Sequence, residues 1–168
     1  MKNTNMQNCK ISAIDIPDYP FLEEFLYHAI YLAEGETPPP REIVVEDKEI
    51  YKYIKDFGNK DDCGVVAKID DKIIGMAWTR IIGAYGYLDD ATPELAIAVL
   101  DEYRCYGIGT KLMEALFNEL IKKGYKRTSL SVQKGNPATR FYIRLGYTIT
   151  EEKLDHAGHE DYIMVKQL

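Results

Sequence analysis

The chain predicts an α/β (α+β) fold: a mixed central sheet flanked by helices, in the order β-α-α-β-β-β-α-β-α-β-β. Three observations carry this. Period-two runs flank Asp70-Asp71, a two-residue hairpin signal. The stretch from Pro93 to Gly109 alternates Leu95, Ile97 and Val99 with Ala96 and Ala98, then meets a glycine-punctuated turn and an amphipathic run to Lys123. Strands precede and follow each of the last two helical segments, which suggests crossover units.

The elements follow in order. Lys2 to Gln7 is polar and expected to fray. Cys9 to Ile16 alternates enough for a first strand, stopped by Pro17 and Pro20. Leu22, Phe25, Leu26, Ala29, Ile30 and Ala33 fall at helical spacing, so a helix is predicted over Phe21 to Ala33, closed by Gly35. Pro38-Pro39-Pro40 must be extended, since each proline fixes φ and disfavours helix in the residue before it. A second helix is predicted over Asp47 to Phe57, its opening acids suiting the positive end of the peptide dipoles. Strands are predicted at Gly64 to Ile69 and Lys72 to Ile82, and a glycine- and tyrosine-bearing loop at Gly83 to Ala91. After the Pro93 strand, Ile108, Leu112, Ala115, Leu116, Leu120 and Ile121 line one face of a helix. Thr128 to Val132 reads as a strand, Pro137 to Leu145 as a helix with proline near its start, and Tyr147 to Glu152 and Tyr162 to Lys166 as the last strands.

Bulk properties bound the function. At 168 residues and 46% apolar content, the chain is one domain's worth with ample core, so residues 1–168 are expected to form a single domain. A net charge of −6 supplies no basic field, so neither nucleic acid nor an anionic membrane is an expected partner. Cys9, Cys63 and Cys105 form no C-x-x-C pair, which argues for reduced thiols and a cytoplasmic setting. No signal-like segment or apolar run of spanning length is found, so a soluble protein is expected.

The chemistry concentrates at the turn after the Pro93 strand. A helix start carries amides with no internal partner and about half a positive charge, which makes it an anion site. Gly107 and Gly109 bring no side chain that would hold a phosphate away, and Arg104 adds a fixed cation. Neither the G-x-x-x-x-G-K-[ST] loop nor G-x-G-x-x-G is present. Arg104-x-x-Gly107-x-Gly109 instead resembles the coenzyme A loop of the GCN5-related N-acetyltransferase (GNAT) superfamily. Asn136-Pro137-Ala138-Thr139-Arg140-Phe141-Tyr142-Ile143-Arg144-Leu145-Gly146-Tyr147 resembles that family's downstream N-P-A-x-x-x-Y-x-x-x-G-F/Y helix. In element order the resemblance runs from about Cys9 to the C-terminus.

The resemblance implies a mostly antiparallel sheet in which the strand ending at Val99 and the strand at Ser129 to Val132 splay apart around the cofactor. It implies acetyl-CoA as cosubstrate, with Ile97, Val99, Arg104, Cys105, Tyr106, Gly107, Ile108, Gly109, Thr110 and Asn136 as cofactor contacts, and no metal. It implies direct attack by an amine on the thioester, Tyr142 protonating the leaving thiolate and Glu94 accepting the amine's proton. The acceptor would be a small-molecule or peptide amine, and a homodimer is an admissible assembly. Two other readings stand beside this one: an acyl-CoA-binding sensor or partner-binding module without turnover, and a nucleotide-binding fold of another family.

The remaining residues have plainer readings. Cys105 has no histidine neighbour in sequence and reads as an inert thiol. His156 and His159 read as solvated residues of a polar turn, His28 as a partly exposed helix residue, and Met76 and Trp78 as core. Tyr27, Tyr31, Tyr85 and Tyr87 are candidates for the rim of an acceptor pocket.

Overall fold

In the computed structural model, which describes residues 8–168, the runs around Asp70-Asp71 fold into the hairpin β2 (Cys63–Ile69) and β3 (Lys72–Arg80). Asp70 and Asp71 take φ of 47° and 66°, the left-handed pair that a two-residue turn needs to match strand twist, and aspartate tolerates it without glycine. With β1 (Lys10–Ala13), β4 (Glu94–Val99), β5 (Arg127–Gln133), β6 (Thr148–Leu154) and β7 (Glu160–Gln167) they form one sheet in the order β1-β2-β3-β4-β5-β7-β6. Every neighbouring pair is antiparallel except β4 and β5. The mixed, mostly antiparallel sheet flanked by helices is therefore present. Lys2 to Gln7 lies outside the described residues.

Strand alternation splits the interior into two cores. Val65, Ala67, Ala77, Leu95 and Leu130 face α4 (Ile108–Lys122), whose Leu112, Met113, Leu116 and Leu120 are fully buried, with α5 (Ala138–Arg144) alongside through Phe141 and Tyr142. Val66, Met76, Trp78 and Ala98 face the other way, against α1 (Leu22–Ala29) and the single turns α2 (Ile43–Glu46) and α3 (Lys48–Tyr51). Met76 and Trp78 are thus core residues, as expected. His28 sits on α1, partly exposed, paired with Glu24 at 3.0 Å.

Some expected boundaries are corrected by long-range contacts. The first strand stops at Ala13, because Asp15 and Asp18 exchange side-chain and backbone hydrogen bonds that cap a 3-10 turn over Ile16–Phe21. The first helix ends at Ala29, since Ile30 turns extended and Tyr31 donates to the Gly135 carbonyl at 3.3 Å. The predicted helix over Asp47 to Phe57 is broken. Asp47 is extended at ψ 114°, its carboxylate capping the amides of Glu49 and Ile50. Farther on, the Arg80 guanidinium, paired with Asp62, takes the carbonyls of Lys52, Lys55 and Asp56. A buried cation from β3 thus replaces the helical amides these carbonyls would otherwise meet. Among the described residues no helix is long and apolar enough to cross a membrane.

Candidate active site

β4 and β5 are registered at one pair only, Glu94 with Ser129, and beyond it they part. The Leu100 amide donates to Ile74 in β3, so alternation turns the backbone groups of Leu95, Ile97 and Val99 toward the gap. Those of Ile97 and Val99 lie beyond the single registered pair and have no partner in β5. The narrow end of the gap is closed by Gly86, whose absent Cβ would lie 2.8 Å from the backbone of Leu130 and Ser131. Only glycine fits there, and the loop is tied down by Ser129 Oγ donating to the Gly86 carbonyl at 2.6 Å.

On one side the gap leads to the start of α4. Gly107 precedes that helix at φ 78°, with open space where a Cβ would stand. No side chain caps this terminus and no acidic residue occupies its first turn, so the amides of Ile108, Gly109 and Thr110 are left for an external acceptor. Cys105 takes a left-handed φ of 65° and is exposed, as are Tyr106 and Thr110, whereas Ile108 is buried. Gly109 serves packing: a Cβ there would meet the Phe141 ring at 3.3 Å. Arg104 folds back, its Nε donating to the Val99 carbonyl at 2.9 Å and its guanidinium pairing with Asp101. Asn136 spends its side-chain oxygen on the Ala138 amide, at the start of α5.

On the other side lies a cleft of about 350 Å³ reaching from Leu26 of α1 and Ile30 just beyond its end to Tyr142 of α5. Ile97 lines it; Glu94 and Val99 do not. Tyr142 is half-buried between Phe141 and Tyr147, and burial pushes its phenol up to about 12. Glu94 is only 2% exposed; one carboxylate oxygen accepts from Tyr53 and from the Gly86 amide, and the other has no protein partner. Burial holds the Glu94 carboxyl above the usual range in spite of those bonds, and burial followed by the field of Glu94 holds the Tyr53 phenol far above its own. Glu94 therefore meets the cleft through Tyr53, which does line it.

Sequence reasoning missed most of the remaining wall. His156, expected to be solvated, bonds Asp47 through Nε2 and Tyr85 through Nδ1, both at 2.7 Å. Tyr85 stacks between the rings of His156 and Tyr53. Asp161 accepts from Ser131 at 2.8 Å, and Asp155 is held by His159 and two amides of its own turn. Asp47, Asp155 and Asp161 all line the cleft and no lysine or arginine does, although Lys153 of β6 is the cross-strand neighbour of Asp161. Among the four candidate tyrosines, Tyr31 and Tyr85 line it; Tyr27 donates to the Pro39 carbonyl at 2.8 Å, and Tyr87 is an exposed loop residue.

The family model described as "Acetyltransferase (GNAT) family" matches residues 26–147, well over half of the chain. An N-alpha-acetyltransferase from Sulfurisphaera tokodaii is 30% identical over 112 residues, 61% of this chain and 66% of that protein. The uncharacterized protein YyaT from Bacillus subtilis is 27% identical over 99 residues, 59% of this chain and 62% of its own. The chain thus spans just under two thirds of the length of these curated relatives. A PaiA N-acetyltransferase from Thermoplasma acidophilum, solved in complex with coenzyme A, superposes with TM-score 0.68 at 24% identity, covering 95% of this chain and 99% of that one. The ribosomal-protein-S18-alanine N-acetyltransferase from Escherichia coli superposes with TM-score 0.65 at 21% identity, covering 95% and 93%. At these identities the superpositions speak to the fold.

Proposed function

Since this chain belongs to the acetyltransferase (GNAT) family, we propose that it moves an acetyl group from acetyl-CoA to a primary amine by direct attack. The observation that carries the reading is the β4–β5 gap, which joins an uncapped helix start to a cleft walled by Tyr142. The two ends fit the two halves of the cosubstrate. Ile108 to Thr110 supply amides for a pyrophosphate, and the gap-facing backbone groups of Ile97 and Val99, the Val99 carbonyl once Arg104 releases it, suit an amide-bearing arm. Arg104 must leave the Val99 carbonyl to reach an anion, and being exposed it is free to do so. Acetyl-CoA supplies the activated thioester; the chain's residues position it and move protons.

In this reading Ile97 and Val99 fix the arm so that the carbonyl faces the cleft, and an amine arrives from the α1–α3 side. Tyr142 donates a proton as the sulfur departs. Burial keeps its phenol protonated, and the same dry surroundings raise the basicity of the thiolate it faces. Glu94 acts by holding Tyr53 in place. Three aspartates on a wall lined by no lysine or arginine, with Lys153 offsetting Asp161 from the neighbouring strand, favour a cationic amine over an acidic one. A cytoplasmic setting, with reduced thiols, is part of the same proposal.

The test is a panel of amines, polyamines, amino acids and peptides with purified protein and acetyl-CoA, following free thiol. Thiol release that depends on a cationic amine is expected. Binding of acetyl-CoA with no release for any amine would support a non-catalytic binding module and defeat the enzyme reading.

A further inference from the structure

We infer that Asp47, His156 and Tyr85 form a relay that takes up the proton of the acceptor amine, an inference that rests on the acetyl-transfer reading above. A primary ammonium must lose a proton before its nitrogen can attack, and at neutral pH only about one in 10³ amines of pKa near 10 has done so. A group that accepts this proton inside the cleft removes that handicap. The three residues come from three separate parts of the chain and meet at the cleft wall.

Each hydrogen bond sets the next. One oxygen of Asp47 accepts the amides of Glu49 and Ile50, which locks the carboxylate and leaves its other oxygen for His156 Nε2 at 2.7 Å. Burial works against an ionised Asp47, but the bonds from His156, Ile50 and Glu49 outweigh it and hold its carboxyl below the usual range. A carboxylate facing Nε2 fixes the proton there and turns the Nδ1 lone pair toward the Tyr85 hydroxyl, also at 2.7 Å. Tyr85 is held flat between the rings of Tyr53 and His156, so its oxygen has little freedom to wander. Burial and the carboxylates of Asp47 and Asp155 keep its phenol protonated. The titratable groups around His156 are Asp47 from the start of α3, Tyr85 from the loop after β3, and Asp155 on its own hairpin, which is taken up by His159.

The step balances as follows. The amine N–H proton passes to the Tyr85 oxygen while the Tyr85 proton passes to His156 Nδ1, giving an imidazolium beside the Asp47 carboxylate. With the ammonium thereby neutral, the C–N bond forms, the C–S bond breaks, the thiolate takes its proton from Tyr142, and the nitrogen sheds its second proton to water as it becomes an amide. His156, 44% exposed at its side chain, returns its proton to water, and Tyr142 regains one from solvent. His156 and Asp47 act through Tyr85 and are positioning residues.

The discriminating measurement is kcat/KM for a primary amine of pKa about 10, from pH 6 to 10, in the parent protein, His156→Gln, Asp47→Asn and Tyr85→Phe. The parent rate should level off above neutrality. His156→Gln should lose about 10²-fold near pH 7 and regain it tenfold per pH unit, because it must wait for amine already neutral in solution. Tyr85→Phe should show the same steep profile, Asp47→Asn a milder one, and added imidazole should restore part of the rate of His156→Ala. Acetyl-CoA affinity should be unchanged in all four, which also reports folding; if one variant fails it, the others decide. A His156→Gln profile parallel to the parent's, with no imidazole rescue, would reduce the trio to a tie between hairpin and α3 and overturn the relay alone. A parent that releases no thiol with any amine would overturn the acetyl-transfer reading, and the relay with it.

Discussion

The two ends of the cleft are built on different plans. The proposed cofactor end is contiguous: β4, the Arg104 to Gly107 turn and the start of α4 follow one another in sequence, and the groups on offer are backbone amides. The proposed acceptor end is a meeting of strangers. Tyr85 reaches His156 across 71 positions and His156 reaches Asp47 across 109, and the groups on offer are side chains. An anion can be held by peptide geometry that a short motif encodes. An amine must be chosen by side-chain chemistry, and the segments that supply it carry no shared local pattern.

If the two ends are as separate as they look, damage to one should leave the other's constant alone. The largest effect is expected where they meet. Tyr142→Phe removes the proposed proton donor, whose phenol makes no hydrogen bond among the described residues, so fold and acetyl-CoA affinity should hold while kcat falls about 10²- to 10⁴-fold. Full kcat across pH 6 to 9 would force the proton to come from elsewhere.

Next come the cofactor variants. Gly107→Val places a branched side chain at φ 78° and fills the open space before α4, so it should weaken acetyl-CoA binding about 10²-fold beyond a strain of about 1–2 kcal/mol in stability. Arg104→Glu should cost about 1.5–3 kcal/mol of the same affinity, with little change in stability, since the side chain is exposed. Calorimetry that finds both variants unchanged would move the pyrophosphate to another turn.

A smaller effect is expected at the acceptor end. Tyr27 ties α1 to the Pro39 carbonyl and carries Arg41 over its ring at 4.9 Å, so the stiff proline segment is fastened to the cleft wall. Replacing Pro38, Pro39 and Pro40 with glycine should raise the amine KM several-fold, on the order of 1 kcal/mol, with acetyl-CoA binding nearly intact. Equal loss at both ends would mean that the halves are mechanically coupled.

The smallest effect is a pH dependence at the hairpin tip. Burial opposes ionisation of Asp155, but bonds from His159 and the turn's amides prevail and hold its carboxyl below the usual range; its contribution is therefore present above about pH 4 and lost as pH falls through the folded value. The bond to Asp155 raises His159 above its ordinary value; its contribution is present below about pH 6.5 and lost as pH rises through the folded value. Hydrogen-exchange protection of the Ala157 and His159 amides should peak between these limits. A flat profile would show that the turn is held by its backbone bonds alone.

What the sequence determined by itself is the part governed by neighbours along the chain. The hairpin at Asp70-Asp71, the two-faced strands and the turn into α4 depend on φ, on side-chain period and on free amides, all set within a few residues. The helix over Pro137 to Leu145 was legible for the same reason; Tyr142 was singled out on it only by the family resemblance, and the fold then supplied its position at the cleft. Tertiary structure decided the rest. The acids at the predicted second helix suit its start, yet Arg80 of β3 claims the carbonyls farther on, and no local pattern announces a cation arriving through space. Nothing near Glu94 in the sequence shows that Tyr53 and Gly86 close over it. His156 sits in a polar turn whose composition suggests only solvent, and becomes a cleft residue because Asp47 and Tyr85 are folded against it. The physical reason is that the energy of a buried carboxylate or a bonded imidazole depends on which groups surround it in space, and periodicity along the chain carries no record of them.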